Sequence, residues 1–243
     1  MYIRLTYDFP DGQEVEEYHT AKYGAPGQKR KARAKPTPEQ VSRHNSLNRI
    51  KTIRRLIRWN FKEDDYWLTV TYKKEERPPD MDTAAHDIKL LLNRLRPYYK
   101  KAGVQMKWMV KTEIGSRGGI HHHLLINRIP NLDSILGKKW KKGGIYIRLM
   151  YSQGGYQKLA EYIEKREGKE YRFSRSRNLI RKDPKKEIMR RGTFSKAPKA
   201  KKGYWIIPDS IVEMINPLGF PSRHYCTQKI EDNRIRGSGR KRE

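Results

Sequence analysis

Two runs, VQMKWMVKTEI (104–114) and IHHHLLINRI (120–129), stand on either side of the short break GSRGG (115–119), and they constrain the fold more than any other stretch. Apolar, β-branched and aromatic residues fill both runs, and the glycine-rich gap between them reads as a chain reversal, so the pair is an antiparallel β-hairpin. With 115–119 as the loop, Ile114 pairs with Ile120 and Glu113 lies opposite His121. Strand side chains alternate, which puts His121 and His123 on one face with Glu113 and turns His122 to the other. Register is the sensitive step, because a slip of one residue moves Glu113 to the wrong face.

The neighbouring segments extend the hairpin into a sheet. DYWLTVTYK (65–73) reads as a strand, and Ile88, Leu91, Leu92, Leu95 and Tyr98/Tyr99 form the apolar stripe of a helix that starts near Asp82 and stops at Gly103. After the hairpin come a short helix over about 131–140, a strand IYIRLM (145–150) and a helix over about 154–166. The order from 65 to about 168 is β-α-β-β-α-β. The expected fold is therefore α+β, an antiparallel sheet with a ferredoxin-like or RRM-like core flanked by helices.

Outside this core the pattern thins. Residues 1–20 read as a hairpin turning at Asp11-Gly12, and 23–36 as a Gly, Pro and Lys/Arg linker. Thr37 opens a basic amphipathic helix carrying Val41, Leu47, Ile50, Ile53 and Ile57; Pro38 suits its first position and Gln40 can close a capping box. The charge run 181–202 reads as a mobile basic loop, with order resuming at GYWIIPDSIVEMI. Three segments are expected: an N-terminal part over 1–62, the core over 63–180, and a basic loop with an accessory piece over 181–243.

Charge narrows the partner. Fifty-five Lys and Arg against 27 Asp and Glu give a net +28, more than solubility requires and unfavourable to a compact chain unless a polyanion binds it. The basic residues are interleaved with 15 Tyr and 5 Trp, which suits a surface that grips phosphates and stacks bases better than one that is merely solvated. No apolar run long enough for a membrane span and no secretory leader pattern are visible, and a single cysteine, Cys226, rules out an internal disulfide and a cysteine-cluster zinc site. A cytoplasmic protein without a membrane partner is expected.

A lone histidine in a strand is usually just hydrogen-bonded. Two at i and i+2 facing a carboxylate are costly to bury without a purpose, and they form a ligand set with open positions for iron, zinc, manganese or magnesium. A metal held beside a phosphodiester also calls for a nucleophile, and Tyr-x-x-Lys places a phenol and an ammonium one helical turn apart. The spacing occurs at Tyr98/Lys101, where Tyr98 continues an apolar stripe, and at Tyr162/Lys165 in YQKLAEYIEKRE, on the helix after the last strand. An RNA-recognition module shares the element order, but its third strand would carry an aromatic RNP1 pattern where this chain has HHH.

Taken together, WLTVTY (67–72), Glu113, His121-His122-His123 with LLIN, and Tyr162 with Lys165 resemble the HUH endonucleases, in particular the single-tyrosine rolling-circle replication initiators of bacterial plasmids and filamentous phages. The segments YRFSRSRNL (171–179) and GFPSRHYC (219–226) are similar to phage-type members. The family's middle residue is usually hydrophobic, so His122 is a departure that leaves the ligand pair intact. The resemblance implies that His121, His123 and Glu113 bind Mg or Mn. It implies further that Tyr162 attacks single-stranded origin DNA to form a 5′-phosphotyrosine link and free a 3′-OH, with Lys165 stabilising the tyrosyl phosphate. Arg117, Arg175 and Arg177 are the expected DNA contacts, a host helicase and DNA polymerase the expected partners, and bacterial cytoplasm the expected setting. A relaxase or single-tyrosine transposase would share this chemistry, whereas a non-catalytic single-strand-binding protein would share only the fold. No GxxxxGK[ST] loop is present for an intrinsic helicase.

Overall fold

The structure, a computed structural model, describes residues 1–30, 37–115, 118–150, 156–165, 170–194 and 197–230. It forms two compact units, one of Met1–Val41 with Lys182–Glu243 and one of Ser42–Arg181. None of the described helices is long and apolar enough to cross a membrane.

The second unit is built on a five-stranded sheet. Its strands are β3 (Tyr66–Val70), β4 (Trp108–Ile114), β5 (Ile120–Ile126), β6 (Ile145–Leu149) and β7 (Tyr171–Arg175), in the spatial order β6-β3-β5-β4-β7. Every neighbouring pair is antiparallel. The hairpin register is the one the loop length implies, with Glu113 opposite His121 and Ile114 opposite Ile120. Periodicity does not anticipate β7. Two of the five residues in its sequence YRFSR are arginines, yet its alternation sets Phe173 opposite Lys111 and Tyr171 opposite Glu113, on the face that carries the histidine pair.

Alternation divides this sheet into two apolar faces. Leu68, Val70, Val110, Leu124 and Ile126 pack under α2 (Met81–Lys101) and α3 (Leu132–Lys139), joined by Leu91, Leu95, Tyr99, Leu132 and Leu136. Burying each such side chain contributes roughly 1.5–3 kcal/mol. Asp80 caps α2 by accepting from the Thr83 amide at 2.7 Å, and Gly103 leaves the helix at φ +65°, the left-handed geometry that glycine adopts freely. On the opposite face Met109 and Leu125 pack against Ile53 and Ile57 of α1 (Pro38–Asn60) and Ala160 and Ile163 of α4 (Gln157–Glu164). The capping box at the start of α1 is formed in both directions, Thr37 N to Gln40 Oε1 at 3.1 Å and Gln40 N to Thr37 Oγ1 at 3.3 Å. Val41 and Leu47 remain exposed, so only the second half of the apolar stripe of α1 is used.

The first unit is a sheet of strands from both ends of the chain. β1 (Tyr2–Asp8) and β2 (Gly12–Tyr18) form the expected N-terminal hairpin; β8 (Lys185–Met189) adds to β1, and β11 (Pro221–Lys229) adds to β2. β10 (Val212–Ile215) and β9 (Tyr204–Ile206) pair with β11. The basic run expected to be a loop thus contains a strand, because the edge of β1 offers backbone donors and acceptors that a basic segment satisfies as well as an apolar one. Linker residues 31–36 lie outside the described residues.

Candidate active site

The α1/α4 face of the five-stranded sheet holds the cluster. Glu113 on β4 and His121 and His123 on β5 converge there: Glu113 Oε1 is 3.4 Å from His121 Nε2 and 3.2 Å from His123 Nε2. One ligand atom from each of the three lies within 4.8 Å of the others, a spacing a single ion can bridge. The imidazole rings lean together at 4.8 Å between centroids, edge to face. Gly115 makes room for this, since a Cβ there would sit 2.9 Å from His121 Cε1. His121 Nδ1 faces the Gly119 carbonyl at 3.3 Å, which fixes the proton on Nδ1 in the neutral ring and aims the Nε2 lone pair at the cluster.

Tyr162 completes the group. Its hydroxyl lies 2.7 Å from His123 Nε2 and donates to Glu113 Oε1 at 3.3 Å, while Trp67 stacks on His123 at 5.4 Å and meets the Tyr162 ring edge-on. The Tyr162 side chain is 40% exposed, so an outside phosphodiester can reach it. Tyr98, the competing Tyr-x-x-Lys residue, packs on the other side of the sheet against the α2/α3 core, with the Lys139 ammonium 5.4 Å from its ring.

Lys111 is the cation that sequence reasoning missed. Two residues before Glu113 on the same face of β4, its buried ammonium pairs with Glu113 Oε2 at 2.6 Å. It also donates to the carbonyls of Tyr162 at 3.1 Å and Lys165 at 2.9 Å, so its three protons each have an acceptor, two of them at the negative end of α4. Its Nζ lies 5.1 Å from the Tyr162 ring centroid. A lysine at i−2 from a candidate ligand in an otherwise apolar strand was the available signal. Lys165 itself caps α4 and has an exposed side chain. Arg175 and Arg177 are exposed at and just beyond the end of β7, and Arg117 lies outside the described residues.

Electrostatics separate the three histidines. Burial opposes ionisation of Glu113, but hydrogen bonds from His121, His123 and Lys111, with the Lys111 charge, outweigh it and hold the carboxyl well below the usual range. The bond to Glu113 raises His121, whereas burial lowers His123. His122, fully buried on the opposite face, is pushed down to about 3 by burial and by its two histidine neighbours. It sits between Thr112 Oγ1, 2.7 Å from Nδ1, and the Tyr72 hydroxyl, 2.7 Å from Nε2. Tyr72 in turn bonds to Asp87, which pairs with Lys142 at 2.7 Å. His122 is therefore a neutral link in a buried polar chain, with no place in the ligand cluster.

Residues 65–167 match the family model of the replication-associated proteins of the ORF2 type, a stretch of under half the chain that contains Glu113, the three histidines and Tyr162. The match supports a role in DNA replication. Searches of curated proteins and of solved structures returned no match.

Proposed function

We propose that this protein is a replication initiator endonuclease that nicks single-stranded origin DNA with Tyr162 as nucleophile. The observation that carries the reading is the convergence of the Tyr162 hydroxyl on Glu113 and His123, inside the stretch that matches a replication-associated family. The strand order β6-β3-β5-β4, with helices on both faces, supports the ferredoxin-like HUH architecture that the motifs resemble.

His121, His123 and Glu113 are the residues that would hold Mg or Mn, and their two nitrogens and one carboxylate oxygen, converging from adjacent strands, fit such an ion. Bound there, the ion supplies positive charge that polarises the phosphate and favours the ionised phenol. Trp67 and Lys111 hold the phenol over the sheet. Attack forms a bond from the Tyr162 oxygen to phosphorus and breaks the bond from phosphorus to the 3′ oxygen. The phenolic proton leaves through the exposed edge of the ring, and the 3′ oxygen takes one up to become the free hydroxyl that primes synthesis. Lys165 at the helix end and Arg175 and Arg177 at and beyond the end of β7 assist on the DNA side.

The test is covalent capture. Incubated with Mn and native-origin or random-library single-stranded oligonucleotides, wild type is expected to yield a detergent-resistant protein–DNA adduct. Tyr162→Phe, which deletes one oxygen, abolishes the adduct while keeping DNA binding, and Tyr98→Phe and Tyr156→Phe retain it. An adduct of undiminished yield in Tyr162→Phe would remove the assignment. Absence of any adduct from wild type on both DNA pools would favour a non-catalytic single-strand binder.

A further inference from the structure

A second ligand cluster lies in the other unit, on the sheet built from the chain ends. His224 and Cys226 occupy i and i+2 positions on β11, and the register sets Cys226 directly opposite Glu14 of β2, so all three share a face. His224 Nε2 is 3.2 Å from Glu14 Oε1, and a ligand atom from each residue lies within 4.8 Å of the other two. Glu14 is 0% exposed and Cys226 is 6% exposed, a carboxylate and a thiol both withdrawn from water. The carboxylate that pairs with arginine in this sheet is a different one: Glu17 takes Arg4 at 2.7 Å and Arg223 at 2.5 Å on the opposite face.

The rest of the unit gives such a cluster something to do. Among the described residues, both large apolar clusters belong to the five-stranded unit. The sheet of the chain ends instead buries Glu14, Glu17, His19, Arg223 and Thr227 beside a few apolar residues such as Val15, Phe220 and Tyr225. Small units with thin apolar cores commonly gain their stability from a staple, and an ion whose ligands come from sequence positions as distant as 14 and 224 closes a very long loop.

We propose that Glu14, His224 and Cys226 form a zinc-class metal site that staples β2 to β11. The donor set, one thiolate, one imidazole and one carboxylate, is softer than the Glu113, His121, His123 set and selects zinc or cobalt over magnesium. A single cysteine excludes all-cysteine sites but leaves this mixed one available. Without an ion the same groups make an ion pair: burial disfavours the His224 charge, but bonds to Cys226 and Glu14 prevail and carry it up to about 9.

The presence of one cysteine in the chain makes the test specific. Cobalt(II) is titrated into full-length, reduced, metal-stripped protein while near-ultraviolet absorption is followed for thiolate-to-cobalt charge transfer. The expected result is a band that saturates at one equivalent per chain, bleaches when zinc is added, persists in His121→Ala/His123→Ala and is lost in Cys226→Ser. As a second readout on a background with the other cluster removed, zinc raises the Tm of His121→Ala/His123→Ala by about 4–8 °C or more. A folded wild-type protein that gives no charge-transfer band overturns the site and leaves Glu14 and His224 as an ion pair. Nicking activity is not part of the readout, so this outcome is independent of the function proposed above.

Discussion

Lys111 does at one position what the sequence motif assigned to Lys165. Its ammonium ties Glu113 to the last turn of α4, so the carboxylate and the phenol of Tyr162 are set by one charge. Lys111→Met keeps the stem and deletes the three donors. Single-turnover nicking is expected to fall by about 10²-fold, the scale of an ångström-sized misplacement of a reacting group, with single-strand affinity nearly unchanged. A parallel loss of affinity would place Lys111 in DNA binding instead. His122 allows a stability test. Its pKa is about 3 in the folded protein against an ordinary value of 6.5, so the unfolded chain binds the extra proton first, and the stability this residue contributes is lost as pH falls from about 6.5 to about 3. In His122→Leu/Tyr72→Phe that loss is removed. Urea midpoints at pH 7 and pH 4.5 should show the wild type losing more than the variant between the two, and equal losses would count against a neutral buried His122.

At the scale of elements, what could be read from the sequence was what local periodicity encodes. The apolar stripe of α2, the Thr37 capping box and the 115–119 loop each specify a neighbour a few residues away, and all three are formed as read. Trp67, Thr69 and Lys111 follow from the same alternation once β3 and β4 are paired with β5, but pairing partners distant in sequence leave no local trace. β7 and β8 escaped for a related reason. Arg172, Arg175, Lys185 and Lys186 mask the alternation, and the ladder that makes each segment a strand belongs to its neighbour. Helix α4 has eight residues, too few to be stable alone, so its placement is tertiary. Besides Ala160 and Ile163 in the core, Glu164 anchors it by accepting from Ser46 Oγ at 2.6 Å and Arg49 Nε at 2.8 Å. Glu164→Ala is expected to cost about 1–3 kcal/mol in thermal or urea unfolding, because Ser46 loses a buried partner. Adduct formation should fall along with it, since Tyr162 lies two residues away. Unchanged nicking in a destabilised variant would separate the anchoring of α4 from the placement of the phenol.

For the whole molecule the dominant quantity is the charge of +28. In a chain whose proposed substrate is single-stranded DNA, most of the binding free energy is then expected from phosphate contacts and counterion release, with little dependence on base sequence. Affinity should fall steeply with salt, with a log-log slope of about −0.7 per phosphate contact. The chemistry at Tyr162 should be far less salt-sensitive once DNA saturates the protein, because its charges are local and partly buried. Arg175 and Arg177, exposed at and just beyond the end of β7, allow the two effects to be separated. If each contacts one phosphate, Arg175→Gln/Arg177→Gln should make the slope shallower by about 1.4, while the nicking rate at saturating DNA stays within about two-fold of wild type. Fluorescence anisotropy of a labelled oligonucleotide over a series of salt concentrations, paired with single-turnover nicking, measures both. A slope unchanged by the double substitution would place the DNA track elsewhere on the surface, and a collapse of the saturated rate would bring the two arginines into the chemistry.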